Sequence, residues 1–129
     1  MLSFAYRLAA GLVVLVAALA VSPASPAQAQ DTANLTWRFN SNYPHVIHME
    51  FYSRALNRKW PAGEVYVINP YQGGYASLRC QYGEYICYGA WVRDNPSTYW
   101  GVGRGGHQGC PRCCATCGHG EPTSITLNP

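Results

Sequence analysis

The chain has 129 residues, nine Lys plus Arg against six Asp plus Glu, and only 12% of its residues are charged. That length provides one core rather than two, and a net charge of +3 is too weak to imply nucleic acid or an anionic membrane as partner. Six cysteines, ten tyrosines and four tryptophans beside a single lysine, Lys59, favour pleated sheet over helix and an oxidising compartment.

Taken in chain order, residues 1–7 offer a positive start through Arg7, and residues 8–21 form an apolar run too short to span a bilayer. Ser22, Pro23, Ser25 and Pro26 break it, and Ala27-Gln28-Ala29 suits a signal-peptidase groove. The expectation is a signal peptide over 1–29 and a single exported domain over 30–129, with a secreted or periplasmic address. Without Arg7, eight bases face six acids, a net charge of +2. The mature chain carries no integral membrane segment.

Residues 35–39 alternate Leu35, Trp37 and Phe39 with polar neighbours, the period-2 pattern of a strand with one buried face. Residues 45–53 repeat it, with Ile47, Met49 and Phe51 on one face and His48, Glu50 and Tyr52 on the other; Asn42-Tyr43-Pro44 makes the turn between. These two strands are expected to be neighbours in one sheet. Residues 54–63 read as a connection in which Trp60 covers a core edge, and 64–69 as the third strand. After Asn69-Pro70 and Gly73-Gly74, residues 75–80 place Ala76, Leu78 and Cys80 on a common face, and 86–93 form the fifth strand. A two-residue turn at Gly83-Glu84, with glycine first as the type II′ geometry prefers, sets Cys80 opposite Cys87 within disulfide range. Strands at 98–102 and 123–127 complete the set. About seven short strands with frequent turn signals and no helix predict an all-β antiparallel sandwich with a disulfide-rich, glycine-rich C-terminal loop region.

Cys80, Cys87, Cys110, Cys113, Cys114 and Cys117 read first as three disulfides, Cys80 to Cys87 and two among the last four. Cys110-Pro-Arg-Cys113-Cys114-Ala-Thr-Cys117 abuts two C-x-x-C units, so two other readings arise. A soft-metal site for zinc or copper would use these four sulfurs with His107 and His119, but zinc knuckles usually come from segments about 15–20 residues apart. Thiol-disulfide exchange would need the pair to open a helix, and none is expected.

Gly101-Val-Gly103-Arg-Gly105-Gly106 satisfies the dinucleotide fingerprint by letter, yet His107-Gln-Gly-Cys follows where a helix should start. His48-Met-Glu50 and Cys110-Pro-Arg-Cys113 have a deaminase-like outline, but the proline stands on the wrong side of its cysteine, and the His-x-Glu is expected on a solvated strand face. No catalytic constellation and no cofactor is therefore assigned. Aromatic side chains exceed what a small core holds, and Tyr71, Tyr75, Tyr99 and Trp100 are the candidates for a surface that stacks on a glycan or anchors a partner. Asn34-Leu-Thr36 is a formal glycosylation sequon.

At Cys87-Tyr-Gly-Ala-Trp91, Tyr99-Trp-Gly-Val-Gly103 and Cys110-x-x-Cys113-Cys114-x-x-Cys117 the chain resembles a group of small secreted bacterial proteins, cysteine-rich in their C-terminal half. The resemblance runs from Phe39 to Leu127, implies an exported address and carries no activity. A looser likeness is to thaumatin-like β-sandwiches, in the order of strand, Tyr-Pro turn, strand and cysteine loops; the acidic cleft is missing and cysteines are far fewer, so no function comes across. The expected role is a non-catalytic structural or protein-binding domain. The alternatives are a soft-metal protein and a module that binds an envelope glycan or envelope protein.

Overall fold

Alternation of inward apolar and outward polar side chains along the long strands produces two sheets packed face to face, a β-sandwich. The computed structural model describes residues 21–24 and 31–129. Residues 21–24 have no regular secondary structure, and the rest of the expected signal peptide lies outside the described residues.

Among the described residues nine strands follow in order: β1 (Thr32–Ser41), β2 (Ile47–Ser53), β3 (Arg58–Trp60), β4 (Tyr66–Ile68), β5 (Gly73–Gln81), β6 (Tyr85–Val92), β7 (Asn95–Gly101), β8 (Cys114–Thr116) and β9 (Ile125–Leu127). The smaller sheet has the order β5-β1-β9, with β5 antiparallel and β9 parallel to β1. The larger runs β3-β2-β6-β7, with β4 also on β2 and β8 also on β6, all antiparallel. A 3-10 turn over Arg104–Gly106 is the one helical element among the described residues.

Between the sheets, Leu35 and Trp37 of β1, Ala76 and Leu78 of β5, and Ile125 and Leu127 of β9 meet Ile47, Met49 and Phe51 of β2 and Ile86 and Ala90 of β6. All are buried, and each large aliphatic or aromatic side chain so placed contributes roughly 1.5–3 kcal/mol. The Trp37 ring lies 5.5 Å from that of Phe51 and 5.9 Å from that of Tyr88.

Three expectations are corrected by this arrangement. The strands at 35–39 and 45–53 are not neighbours in a sheet; β1 and β2 face one another across the core, as the Trp37–Phe51 contact shows. Period-2 patterning marks which face is buried and is silent on whether the partner lies beside or opposite. Likewise β5 and β6 do not form a hairpin. The turn at 81–84 is closed by the Glu84 N–H on Gln81 O at 2.9 Å, with Gly83 in third position at φ 85°. Glycine in third position is the signature of a type II turn, and here the chain steps from one sheet to the other. The third correction concerns residues 54–63. They contain β3, paired with β2, although Trp60 does pack on the core edge.

Candidate functional site

Disulfide pairing follows from the separation of β5 and β6. Cys80 bonds Cys117, Cys87 bonds Cys114 and Cys110 bonds Cys113, so the expected Cys80–Cys87 bridge is not formed. Cys80 points into the core from the smaller sheet, and its partner arrives just after β8 of the larger one. Cys87 and Cys114 are opposite residues on β6 and β8, with Cα atoms 3.9 Å apart. No free cysteine remains among the described residues. The soft-metal arrangement loses its thiolates to disulfides; of its histidines, His107 follows the 3-10 turn and His119 lies against Tyr82, ring centroids 5.3 Å apart. Among the described residues no group of three or more His, Cys, Asp or Glu side chains is placed to hold a metal ion.

The aromatic candidates also divide. Tyr75 is 67% exposed on the outer face of the smaller sheet, opposite Arg38, and Tyr71 is exposed in the turn before β5. Tyr99 pairs with Trp91 on β7, on the outer face of the larger sheet, at the other side of the molecule. Trp100 turns inward, half-buried, its ring 5.1 Å from that of Tyr43 and its Nε1–H donated to Asn128 O at 2.8 Å. The four do not share a surface.

What the fold does gather is polar side chains on the outer face of the larger sheet. Strand alternation turns His48, Glu50 and Tyr52 of β2 outward, beside Lys59 of β3 and Trp91 of β6. The expectation of a solvated face fails here, because the segment after β7 folds back over it. Gly101, at φ 63°, turns that segment, Val102 is buried, and Gly103 O comes so close to Gly89 that a side chain at position 89 would collide with it. Gly105 N–H donates to the Tyr52 hydroxyl at 2.9 Å, and Arg54 donates to Gly106 O at 2.9 Å. The Cys110–Cys113 disulfide and the Cys87–Cys114 link anchor the far end of this cover.

Under its edge lies a cleft of about 600 Å³ lined by His48, Glu50, Lys59, Trp91, Arg93 and Arg104, among others. Glu50 is 6% exposed. Its Oε1 accepts from Lys59 Nζ at 2.8 Å and its Oε2 from the Tyr52 hydroxyl at 2.5 Å. Burial, and then the bond to Glu50, push the Tyr52 phenol well above its ordinary value of 10.0. Tyr52 therefore stays protonated as the donor. The His48 ring stands edge-on to Trp91, centroids 6.1 Å apart, and Arg104 lies over the same indole with Cζ 6.0 Å from the ring centroid. Burial, and next the neighbouring Arg93 and Arg104 charges against the opposing pull of Asp94 and Glu50, hold the His48 imidazole below its ordinary 6.5. The shift favours the neutral imidazole, and Arg93 and Arg104 are the cations beside it.

A second buried carboxylate, Glu84, has a structural task. Arg58 pairs with it through both guanidinium arms, one at 3.0 Å, and the Gln81 N–H reaches its Oε1 at 3.0 Å. Reasoning from sequence missed Glu84, Lys59, Arg93 and Arg104. The glycines at 101, 103, 105 and 106 were the available signal, since such a run permits backbone to approach a sheet closely. No family model, no curated protein and no solved structure matches this chain.

Proposed function

We propose that this is an exported, disulfide-stabilised domain that acts by binding rather than by catalysis, and that the cleft beside Trp91 is its recognition site for an anionic group on an envelope partner. The observation that carries this reading is the division of charge in the cleft. Glu50 is already neutralised by Lys59 and has both oxygens engaged; Glu64, the other lining carboxylate, is exposed and pairs with neither arginine; Arg93 has only the exposed Asp94 at 3.5 Å, and Arg104 has no ion-pair partner among the described residues. Two arginines turned to a partly enclosed space suit a carboxylate or phosphate group. The lining supplies neither serine, threonine nor cysteine as nucleophile, and a carboxylate tied to an ammonium and a phenol is poorly placed to take a proton. Export rests on the leader-like N-terminus and is supported by the oxidised cysteines.

The test is NMR titration of the exported domain with envelope glycans bearing carboxylates, with anionic lipid headgroups and with acidic peptides. Binding that shifts His48 and Trp91 resonances, raises the His48 pKa and weakens about tenfold or more in the Arg93→Gln, Arg104→Gln double variant is expected. Anion binding that ignores both substitutions, or turnover of an added compound, contradicts the reading.

A further inference from the structure

Among the described residues the outer edge of the smaller sheet is open, and the register shows which backbone groups it leaves without partners. Just beyond the two ends of β5, Tyr82 N–H bonds Asp31 O at 2.8 Å and Ser41 N–H bonds Gln72 O at 2.9 Å. Each pair continues by one residue the unbroken register of β5 with β1, Thr32 opposite Gln81 to Asn40 opposite Gly73. Opposed residues in an antiparallel ladder alternate between exchanging both hydrogen bonds and exchanging none. The even-numbered residues of β5 therefore bond β1, and Gly73, Tyr75, Ser77 and Arg79 aim N–H and C=O away from it. β5 pairs with no other strand, and none of these groups has a hydrogen-bond partner among the described residues. All four residues are exposed; of the residues that bond β1, Ala76, Leu78 and Cys80 are buried and Gly74 is exposed.

Such a nine-residue edge is normally blunted by proline, by several charges or by a bulge. β5 has no proline, one charge, Arg79, and no register shift. We propose that this edge is a homodimer interface, in which β5 of a second copy adds antiparallel across a two-fold axis at Ala76 and joins the two smaller sheets into one.

Three features favour a second copy as the occupant. Opposing Gly73 to Arg79 and Tyr75 to Ser77 of the other copy satisfies every free donor and acceptor on both strands, because the outward groups of one edge are the complement of the same edge turned by two-fold symmetry. On the inner face the register sets Ala76 against Ala76 and Leu78 against Gly74, so small residues stand at the axis and the Phe39 ring already covers Gly74. The two Arg79 side chains stand at opposite ends, about 20 Å apart at the strand rise, beyond the screening length of about 8 Å.

Ser77→Pro tests this, since the lost N–H faces the free edge and the β1 ladder keeps all its bonds. Sedimentation equilibrium over a dilution series is expected to show a monomer–dimer equilibrium in the native protein. In S77P it should be weakened about tenfold or more, with the melting temperature of the monomer unchanged. Ser77→Lys, which places a charge at the edge without touching backbone, should act in the same direction and serves if S77P fails to fold. In the dimer, amide exchange at Gly73, Tyr75, Ser77 and Arg79 slows as concentration rises. A native protein that stays monomeric with those amides exchanging freely overturns the proposal, and so does a dimer that survives S77K intact. The cleft variants at Arg93 and Arg104 lie on the other sheet, and their dimerisation should match the native protein, so this proposal and the anion-binding reading fail independently.

Discussion

Cys80 and Cys117 are bonded with Cα atoms 6.2 Å apart, and Cys117 also clasps the 81–84 turn through backbone, accepting from Gly83 N–H and donating to Glu84 O, each at 2.8 Å. One residue thus ties the core strand β5, the step between the sheets and the end of the cysteine-rich segment. This position gives the bridge a larger share of stability than its companions.

Chain-entropy reasoning makes the share estimable. A sequence separation of 37 for Cys80–Cys117 corresponds to about 4 kcal/mol, and one of 3 for Cys110–Cys113 to about 2 kcal/mol. The double variant Cys80→Ala, Cys117→Ala is expected to lose about twice as much unfolding free energy in urea as Cys110→Ala, Cys113→Ala. Equal losses would show that Cys117 is not the central tie.

Glu84 gives the pH dependence. Burial alone would raise its carboxyl pKa, but hydrogen bonds from Arg58, Ser53 and the Gln81 N–H outweigh it and hold the group below its ordinary 4.5. A carboxyl depressed on folding adds stability that is complete above about pH 4.5 and drains away as pH falls through its folded value. The Arg58 side chain is 39% exposed, which screens the pair. Glu84→Gln should therefore cost about 1–3 kcal/mol at pH 7, and chemical denaturation below pH 4 should show the variant and the native protein converging.

Gly89 tests whether the cover over the larger sheet is held by close backbone approach. Gly89→Ala drives a methyl group into Gly103 O, and overpacking of this kind costs about 1–3 kcal/mol. Limited proteolysis should cut the variant faster between residues 101 and 113 while the β1–β5 amides keep their protection. Loss of protection throughout would place Gly89 in the core rather than under a separable cover.

Which sides of this fold were legible in the sequence follows from what alternation encodes. Ile47, Met49 and Phe51 announce a buried face, and Leu35 and Trp37 another, so the all-β class and the core were readable. That these faces meet across the core depends on the chain stepping between the sheets at residues 42–46 and again at the 81–84 turn, where Gly83-Glu84 accommodates either a hairpin or a crossing. The crossing is chosen by contacts distant in sequence, Arg58 on Glu84 and Cys117 on Gly83. The cleft was hidden for the same reason. His48 and Glu50 were recognised as one polar face, but the cover that buries Glu50 comes from glycines some fifty residues further on, whose spacing specifies closeness and not a destination.

The oxidised cysteines tie the two sheets and the cover together, and proteolytic disulfide mapping of protein produced in an oxidising compartment is the decisive measurement. The expected result is Cys80–Cys117, Cys87–Cys114 and Cys110–Cys113 with no free thiol. A Cys80–Cys87 link, or Cys110, Cys113, Cys114 and Cys117 recovered reduced around a bound metal, would contradict it.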